Sequence, residues 1–229
     1  MDTIDRLIKK RKELDRLDSI EDYGGKRLNY IRNDNFIAFY EETKNKEAIF
    51  RIINPKKNVD IESLYPENMK HLYLDLCEHD TLPRIPDTVE LLVIEQGNIV
   101  KFDKKLPESI KELSIYGINA KKIPELKHLK NLWSLKIIYC NFLKKLPELP
   151  DSIKILEVDY CEKLEEITFP LPKKLVYGKL DSLHLKYIPN DFRYLTKLKR
   201  LNLLRSGKVE NIKSKKDILV NEGVTVNFM

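Results

Sequence analysis

The sequence contains few cysteines, few glycines and no long apolar run. Its 229 residues include three Cys and seven Gly, and no stretch of about 18 apolar residues, the length that spans a bilayer. No apolar segment follows Met1, so we expect no secretory signal. Three cysteines cannot all pair with one another, which favours reduced thiols. We therefore predict a cytoplasmic location, either in the protein's own cell or in a host cytosol that receives it as an effector.

Charge of one sign does not dominate the chain. Lys and Arg number 42 against 36 Asp and Glu, a net charge of +6, and 42% of the residues are hydrophobic. This composition is typical of a soluble, folded protein. The basic balance permits an anionic partner, but the interspersed acidic residues disfavour nucleic acid and membrane surfaces as the main ones.

Short apolar phrases of the form Leu-x-Leu recur along the chain. We take the first apolar residue of each phrase as its anchor, and the anchors are Phe50, Leu72, Leu91, Leu113, Leu135, Leu156, Leu201 and Val224. The first six lie 19 to 22 residues apart, close to the period of leucine-rich repeats. One further anchor is expected between Leu156 and Leu201, and both Leu175 and Leu183 fit it. The spacing predicts about eight to nine repeats.

The three cysteines occupy one position of this repeat. Cys77, Cys140 and Cys161 each lie five residues after an anchor. The resemblance to leucine-rich repeats implies that a side chain at this position is buried and donates to neighbouring backbone carbonyls. Burial keeps a thiol protonated and removes it from catalysis. His71, His79 and Asp80 lie near Cys77 but lack the paired spacing of zinc ligands. We predict no catalytic residue, no metal and no cofactor.

The second half of each repeat carries an apolar residue followed by proline. These pairs are Leu82-Pro83, Leu106-Pro107, Ile123-Pro124, Leu146-Pro147, Phe169-Pro170 and Ile188-Pro189. Proline fixes φ and lacks an N–H, so these segments are predicted to be extended or turn-like. Residues 126–132 and 192–198 leave room for short helices.

One segment carries a specific resemblance. Residues 146–164, Leu-Pro-Glu-Leu-Pro-Asp-Ser-Ile-Lys-Ile-Leu-Glu-Val-Asp-Tyr-Cys-Glu-Lys-Leu, resemble the leucine-rich repeats of plant nucleotide-binding resistance receptors. They are also similar to the Leu-Pro-x-Leu-Pro repeats of bacterial effector proteins, including effector ubiquitin ligases. The resemblance implies an α/β leucine-rich-repeat solenoid with a curved parallel β-sheet on the inner face and a mostly extended or short-helical outer face. In both families the repeats recognise a protein and other domains carry the activity.

The first 45 residues differ from the repeats. Ile4, Leu7, Ile8, Leu14 and Leu17 recur at helical spacing, which predicts an amphipathic helix over residues 3–18. Two strand-like runs, 36–40 and 48–53, follow. We predict an N-terminal helix-plus-hairpin cap at 1–45 and a solenoid at 46–229, because an open solenoid end has to be covered. A membrane or partner contact is the alternative for the helix, and residues 224–228 are predicted to form the last strand.

Alternation along each strand predicts which side chains face outward. The outward positions chosen as a partner-binding site are Tyr73, Asp75, Glu90, Glu112, Tyr116, Lys136, Tyr139, Glu157, Asp159 and Tyr160. The same register places Glu95, Leu92 and Ile94 outward. Six acidic residues against Lys136 leave this face five charges negative, which favours a partner with a basic surface and disfavours nucleic acid. Tyrosines of this kind dominate many protein interfaces.

The sequence favours a non-catalytic scaffold that binds a protein or peptide, with no small-molecule substrate. The alternative is a substrate-recognition adaptor or effector module for an activity such as ubiquitin ligation that another chain supplies. Binding of nucleic acid or membrane through lysine pairs such as Lys121-Lys122 and Lys144-Lys145 is the least favoured hypothesis. No pattern indicates the oligomeric state.

Overall fold

Alternating apolar and polar residues form the strands of one sheet. The computed structural model describes residues 17–21, 27–42, 48–165, 167, 169–181, 183, 185, 194–204 and 225–227. The strands are β1 (Leu17–Glu21), β2 (Arg27–Asn33), β3 (Phe36–Glu42), β4 (Ala48–Ile53), β5 (Met69–Cys77), β6 (Leu91–Gly97), β7 (Glu112–Tyr116), β8 (Ser134–Ile138), β9 (Ile155–Asp159), β10 (Tyr177–Asp181), β11 (Arg200–Asn202) and β12 (Thr225–Asn227). They lie in the sheet in chain order.

The pairing of neighbouring strands changes from antiparallel to parallel at β4. Strands β1 to β4 pair antiparallel, whereas β4 to β12 pair parallel. Each parallel step requires a return connection on the other side, so β4 to β12 form a parallel β-solenoid. The predicted strands at 36–40 and 48–53 are confirmed as β3 and β4.

The predicted N-terminal helix mostly lies outside the described residues, which begin at 17. Residues 17 and 18, at its expected end, belong to β1 instead. Asn33 shapes the β2–β3 turn, because its Oδ1 accepts hydrogen bonds from the amides of Asn35 (2.7 Å) and Phe36 (3.0 Å).

The strand register confirms most anchors and corrects three. The residues paired across the parallel strands are Phe50, Leu72, Leu92, Leu113, Leu135, Leu156, Gly178, Leu201 and Val226. Leu92 therefore replaces Leu91, Val226 replaces Val224, and neither Leu175 nor Leu183 is the missing anchor. Gly178 fits because a Cβ there would lie 2.9 Å from Leu201 Cδ1.

The core lies between the sheet and the return connections. The anchor and the residue two positions later are fully buried in successive strands, as with Leu113 and Ile115. The connections add their own apolar residues, including Leu129 and Ile153. Each such side chain contributes about 1.5–3 kcal/mol through burial, so the stability of the solenoid accumulates turn by turn.

The described residues contain almost no helix, so the helical part of the predicted α/β class is not seen among them. The connection at 126–132 forms consecutive tight turns, in which Leu129 N donates to Leu126 O (2.9 Å) and Leu132 N to Leu129 O (3.1 Å). This three-residue spacing buries all three leucines without an α-helix. A 3₁₀ helix spans Glu62–Leu64, and no helix among the described residues is long and apolar enough to cross a membrane.

Candidate binding face of the sheet

One face of the parallel sheet points away from the core, and we call it the exposed sheet face. Its side chains form three columns across β4 to β11. The first column is Ile49, His71, Leu91, Glu112, Ser134, Ile155, Tyr177 and Arg200; the second is Arg51, Tyr73, Val93, Ser114, Lys136, Glu157, Lys179 and Asn202; the third is Ile53, Asp75, Glu95, Tyr116, Ile138, Asp159 and Asp181. Strands about 4.8 Å apart pack these side chains against one another, and most are half-buried.

Nine of the ten predicted site residues lie on or beside this face. Those on it are Tyr73, Asp75, Glu112, Tyr116, Lys136, Glu157 and Asp159, while Tyr139 and Tyr160 directly follow their strands. The same arrangement buries Leu92 and Ile94 completely, against their predicted outward orientation. The error arises from the register of β6, which is shifted by one residue relative to the prediction.

Glu90 is the exception among the predicted site residues. It precedes β6, in line with Lys70 and Lys111, and its carboxylate accepts from Lys111 Nζ (2.5 Å) and Lys70 Nζ (2.9 Å). These two hydrogen bonds hold the pKa of Glu90 below its ordinary value. Glu90 therefore connects neighbouring turns beside the exposed sheet face.

The exposed sheet face is less acidic than the sequence analysis predicts. Its columns carry six acidic residues and four basic ones, a formal net charge of −2. The prediction of −5 included Glu90 and covered only the turns from Leu72 to Leu156. Arg51, Lys179 and Arg200 lie on the turns outside that range.

Four of the six acidic residues of the face pair with a cation that lies one or two strands away. Arg51 contacts Asp75 and lies 3.9 Å from Glu95. Lys136 lies 3.6 Å from Glu157. Lys179 donates to Asp159 Oδ2 at 2.5 Å, and this bond raises the pKa of Lys179. These pairs neutralise much of the acidic charge of the face and leave its formal net charge at −2.

Two of these paired carboxylates, both in the third column, are hydrogen-bonded to the described part of the chain through one oxygen only. Asp75 and Asp159 are 4% and 5% exposed, and the Oδ1 atom of each has no hydrogen-bond partner among the described residues. Burial raises the pKa of Asp75, although Arg51 opposes the shift. A buried acceptor without a donor costs about 1–3 kcal/mol. A hydrogen bond donated to either Oδ1 atom would therefore be stabilising.

Residues at the C-terminal ends of five strands, or directly after them, adopt left-handed backbone conformations. Leu76, Gln96, Gly117, Tyr139 and Tyr160 have φ between 49° and 61°, which costs a residue other than glycine about 1 kcal/mol. Backbone bonds across turns offset this strain, as with Tyr139 N to Asp159 O at 3.0 Å. We call these five residues the left-handed column.

Two aromatic residues of the left-handed column stack on each other. The rings of Tyr139 and Tyr160 lie 4.8 Å apart between centroids, with 20° between their planes, and Tyr139 is 55% exposed. Further along the chain, Lys163 Nζ lies 4.4 Å from the ring centroid of the exposed Phe142. We call Tyr139, Tyr160, Phe142 and Lys163 the aromatic ridge. These side chains combine aromatic rings with one positive charge, so the surface they form is amphipathic.

The cysteines lie on the opposite, buried side. All three are free and fully buried, and Cys161 Sγ donates to Asp159 O at 3.4 Å. Burial raises the pKa of Cys77 to about 12, which suppresses nucleophilic reactivity. The described residues contain no group of three or more His, Cys, Asp or Glu side chains that could hold a metal ion.

The structure corrects one neighbour of the cysteine position. Gly97 pairs with Cys77, whereas the predicted anchor Leu91 would place Gln96, five residues later, at this position. A Cβ on Gly97 would lie 2.6 Å from the backbone N and O of Cys77, so this turn requires glycine.

Comparison with known proteins finds matches that cover only part of each chain. No protein-family model matches the chain. The chain is 38% identical over 168 residues to the disease resistance protein RML1A of Arabidopsis thaliana, a match covering 64% of this chain and 15% of that protein. It is 29% identical over 115 residues to the disease resistance-like protein DSC1 of the same plant, covering 50% and 8%. A third match, disease resistance protein RML1B, is 30% identical over 105 residues, or 45% and 10% of the two chains. The chain thus spans 8–15% of the length of these three relatives, and it is similar to parts of plant disease resistance proteins.

Proposed function

We propose that this chain is a non-catalytic leucine-rich-repeat scaffold that works in the cytoplasm. In this proposal it recognises a protein or peptide through the exposed sheet face and the aromatic ridge. Three findings support it: the parallel solenoid, the apolar anchors that repeat about every 22 residues, and relatives that are disease resistance proteins. Repeat solenoids offer long, regular surfaces suited to extended contacts with another molecule.

The stacked pair of Tyr139 and Tyr160 is the observation that carries the proposal. Tyrosine supplies a large apolar area and a polar tip, and it is enriched among the residues that dominate interface energies. Because each ring already rests on the other, little side-chain freedom is left to lose when a partner binds. A stack exposed beside a sheet therefore suits recognition better than isolated surface tyrosines do.

The ridge continues directly onto the exposed sheet face. Ile138 immediately precedes Tyr139 in the chain, and Tyr116 pairs with Ile138 across the sheet. Leu91 and Val93 add half-buried apolar area on β6. A partner that covers the ridge would also cover these groups, which gives the contact an apolar centre with charged pairs around it.

Photo-crosslinking tests the proposal and identifies the partner in the same experiment. The photoreactive residue p-benzoylphenylalanine, which carries a benzoyl group in place of the tyrosine hydroxyl, replaces Tyr139 in the full chain, and a matched control replaces Tyr194, which is 65% exposed and outside the ridge. In cells that produce the protein, we expect a protein captured from position 139 and absent from position 194.

The captured protein then provides a quantitative measurement. Calorimetry should show at least a tenfold loss of affinity for the double variant Tyr139→Ala/Tyr160→Ala, about 1.4 kcal/mol or more. Tyr194→Ala should bind like the parent, and circular dichroism should show equal folding. Identical capture from both positions, or unchanged affinity of the double variant, contradicts the proposal.

The adaptor hypothesis uses the same surface. A chain that presents substrates to a ubiquitin-ligating enzyme would also bind its substrate on the exposed sheet face. No contact among the described residues favours it over the scaffold.

A further inference from the structure

Between β5 and β10, the third column of the exposed sheet face has acidic ends and an apolar middle. In strand order these six residues are Asp75, Glu95, Tyr116, Ile138, Asp159 and Asp181, and Ile53 precedes them on β4. Neighbouring members pair across adjacent strands, so they form a straight line perpendicular to the strands. The first and second columns show no such division into acidic and apolar blocks.

At the β5 end, one cation serves two carboxylates. Arg51 contacts Asp75 and lies 3.9 Å from Glu95, so these three side chains together carry one net negative charge. Asp75 Oδ1 is buried without a donor among the described residues. This end can accept one additional positive group.

At the β10 end, Lys179 bonds to one oxygen of Asp159 and leaves the other without a donor among the described residues. The neighbouring Asp181 uses its Oδ1 to accept the amide of Leu204 at 2.9 Å. Asp159 Oδ1 is therefore the acceptor at this end that the described contacts leave unused. Each end of the column thus has a buried carboxylate with one oxygen hydrogen-bonded to a cation and the other without a donor among the described residues.

The depth of the two Asp carboxylates limits which hydrogen-bond donors of a partner can reach them. Aspartate is shorter than the Arg, Lys and Tyr side chains beside it on the second column, so its carboxylate lies below the surface they form. A lysine or arginine side chain reaches farther down than a backbone amide does, because a long apolar stem carries its charge.

The middle of the column is apolar and half-exposed. Tyr116 and Ile138 are paired across β7 and β8, and the aromatic ridge begins at the next residue, Tyr139. An apolar side chain placed here would contact both residues and lose water-exposed area.

We propose that the third column binds an extended peptide segment that crosses the strands, with a basic side chain at each end and an apolar one between them. This inference rests on the proposed function and names the chemistry of its partner. Asp75 and Asp159 are four strand steps apart, roughly 19 Å at about 4.8 Å per step. An extended chain covers that distance in about six residues, at about 3.3 Å each.

A library of displayed random twelve-residue peptides tests the inference on the full chain. We expect selection to enrich peptides with Lys or Arg at two positions five to seven residues apart and an apolar residue between them. The variants Asp75→Asn and Asp159→Asn should each weaken these peptides at least tenfold. Glu148→Gln, which removes an exposed carboxylate paired with Lys127 at 2.6 Å, should leave binding unchanged.

Changes in the peptide give a readout that does not depend on folding of the variants. Replacing either basic residue of a selected peptide with glutamine should weaken binding to the parent chain tenfold. The same replacement should have little effect on the variant that lacks the matching carboxylate, as a double-mutant cycle reveals.

The outcomes separate this inference from the proposed function. Peptides that bind both Asp variants as tightly as the parent, that lack the basic spacing, or that cannot be selected at all overturn the inference. The proposed function survives those results if a protein is still captured at position 139 and lost with the two tyrosines. Loss of that capture contradicts the proposed function, whatever the library yields.

Discussion

The buried and exposed sides of the same strands follow different rules. On the buried side, Leu72, Leu92, Leu113, Leu135 and Leu156 repeat one residue type at one position of the strand register. On the exposed side, the residue just before each of them changes from His to Leu, Glu, Ser and Ile. The interior must fill equal spaces turn after turn, whereas the outer columns are constrained only by their cross-strand neighbours and by solvent. The fold is therefore specified on the buried side, and the exposed side is left free to vary.

The largest expected effect comes from truncating a leucine on the buried side. Leu135→Ala leaves a cavity in a fully buried position and should lower the free energy of unfolding by about 3–4 kcal/mol. Leu76→Ala is the matched control, since Leu76 is 45% exposed and should cost less than about 0.5 kcal/mol. Urea denaturation measures both, and equal losses would show that the two sides do not differ as described.

A pair of glycines gives the next largest effect. Gly97→Ala places a Cβ 2.6 Å from the Cys77 backbone at φ 105°, and we expect a loss of about 2–3 kcal/mol. Gly117→Ala has φ 61° and only a 3.4 Å contact with Gln96 Cγ, so about 1 kcal/mol should be lost. Thermal and urea unfolding of both variants test this order. The reverse order would contradict the tight packing between β5 and β6.

The smallest effect concerns the buried thiol of Cys77. Burial raises its pKa from 9.0 to about 12, so the folded state favours the neutral thiol. This contribution to stability is complete below about pH 9 and is lost as the pH rises towards 12. Between pH 7 and pH 10 the parent should lose about 1 kcal/mol more than Cys77→Ala does, measured by urea unfolding at both values. Parallel losses in the two proteins would mean that Cys77 ionises as readily in the folded state as in the unfolded one.

The repeat and most of its register could be predicted because the interior positions are chemically distinctive. The failure at β6 has a physical cause: Leu91, Leu92, Val93 and Ile94 are all apolar, so alternation cannot identify which pair is buried. Gly178 could not be found either, because its place in the interior depends on the Leu201 side chain that fills the space above it.

The candidate site could be predicted in position but not in charge. Tyr139 and Tyr160 are adjacent in the structure, as the spacing of Cys140 and Cys161 indicates. The ion pairs could not be predicted, because a pair such as Lys179 with Asp159 depends on the register of β9 and β10. The sequence leaves that register open, so only the structure shows that cations offset part of the acidic charge of the face.

Strand β4 has a consequence for how the chain folds. It pairs antiparallel with β3 and parallel with β5, so it belongs both to contacts that are local in sequence and to contacts that span about twenty residues. Local contacts form faster because they close shorter loops. We expect the hairpins of β2, β3 and β4 to form first. The free edge of β4 can then pair with β5, and the solenoid assembles from there one turn at a time towards its C-terminal end.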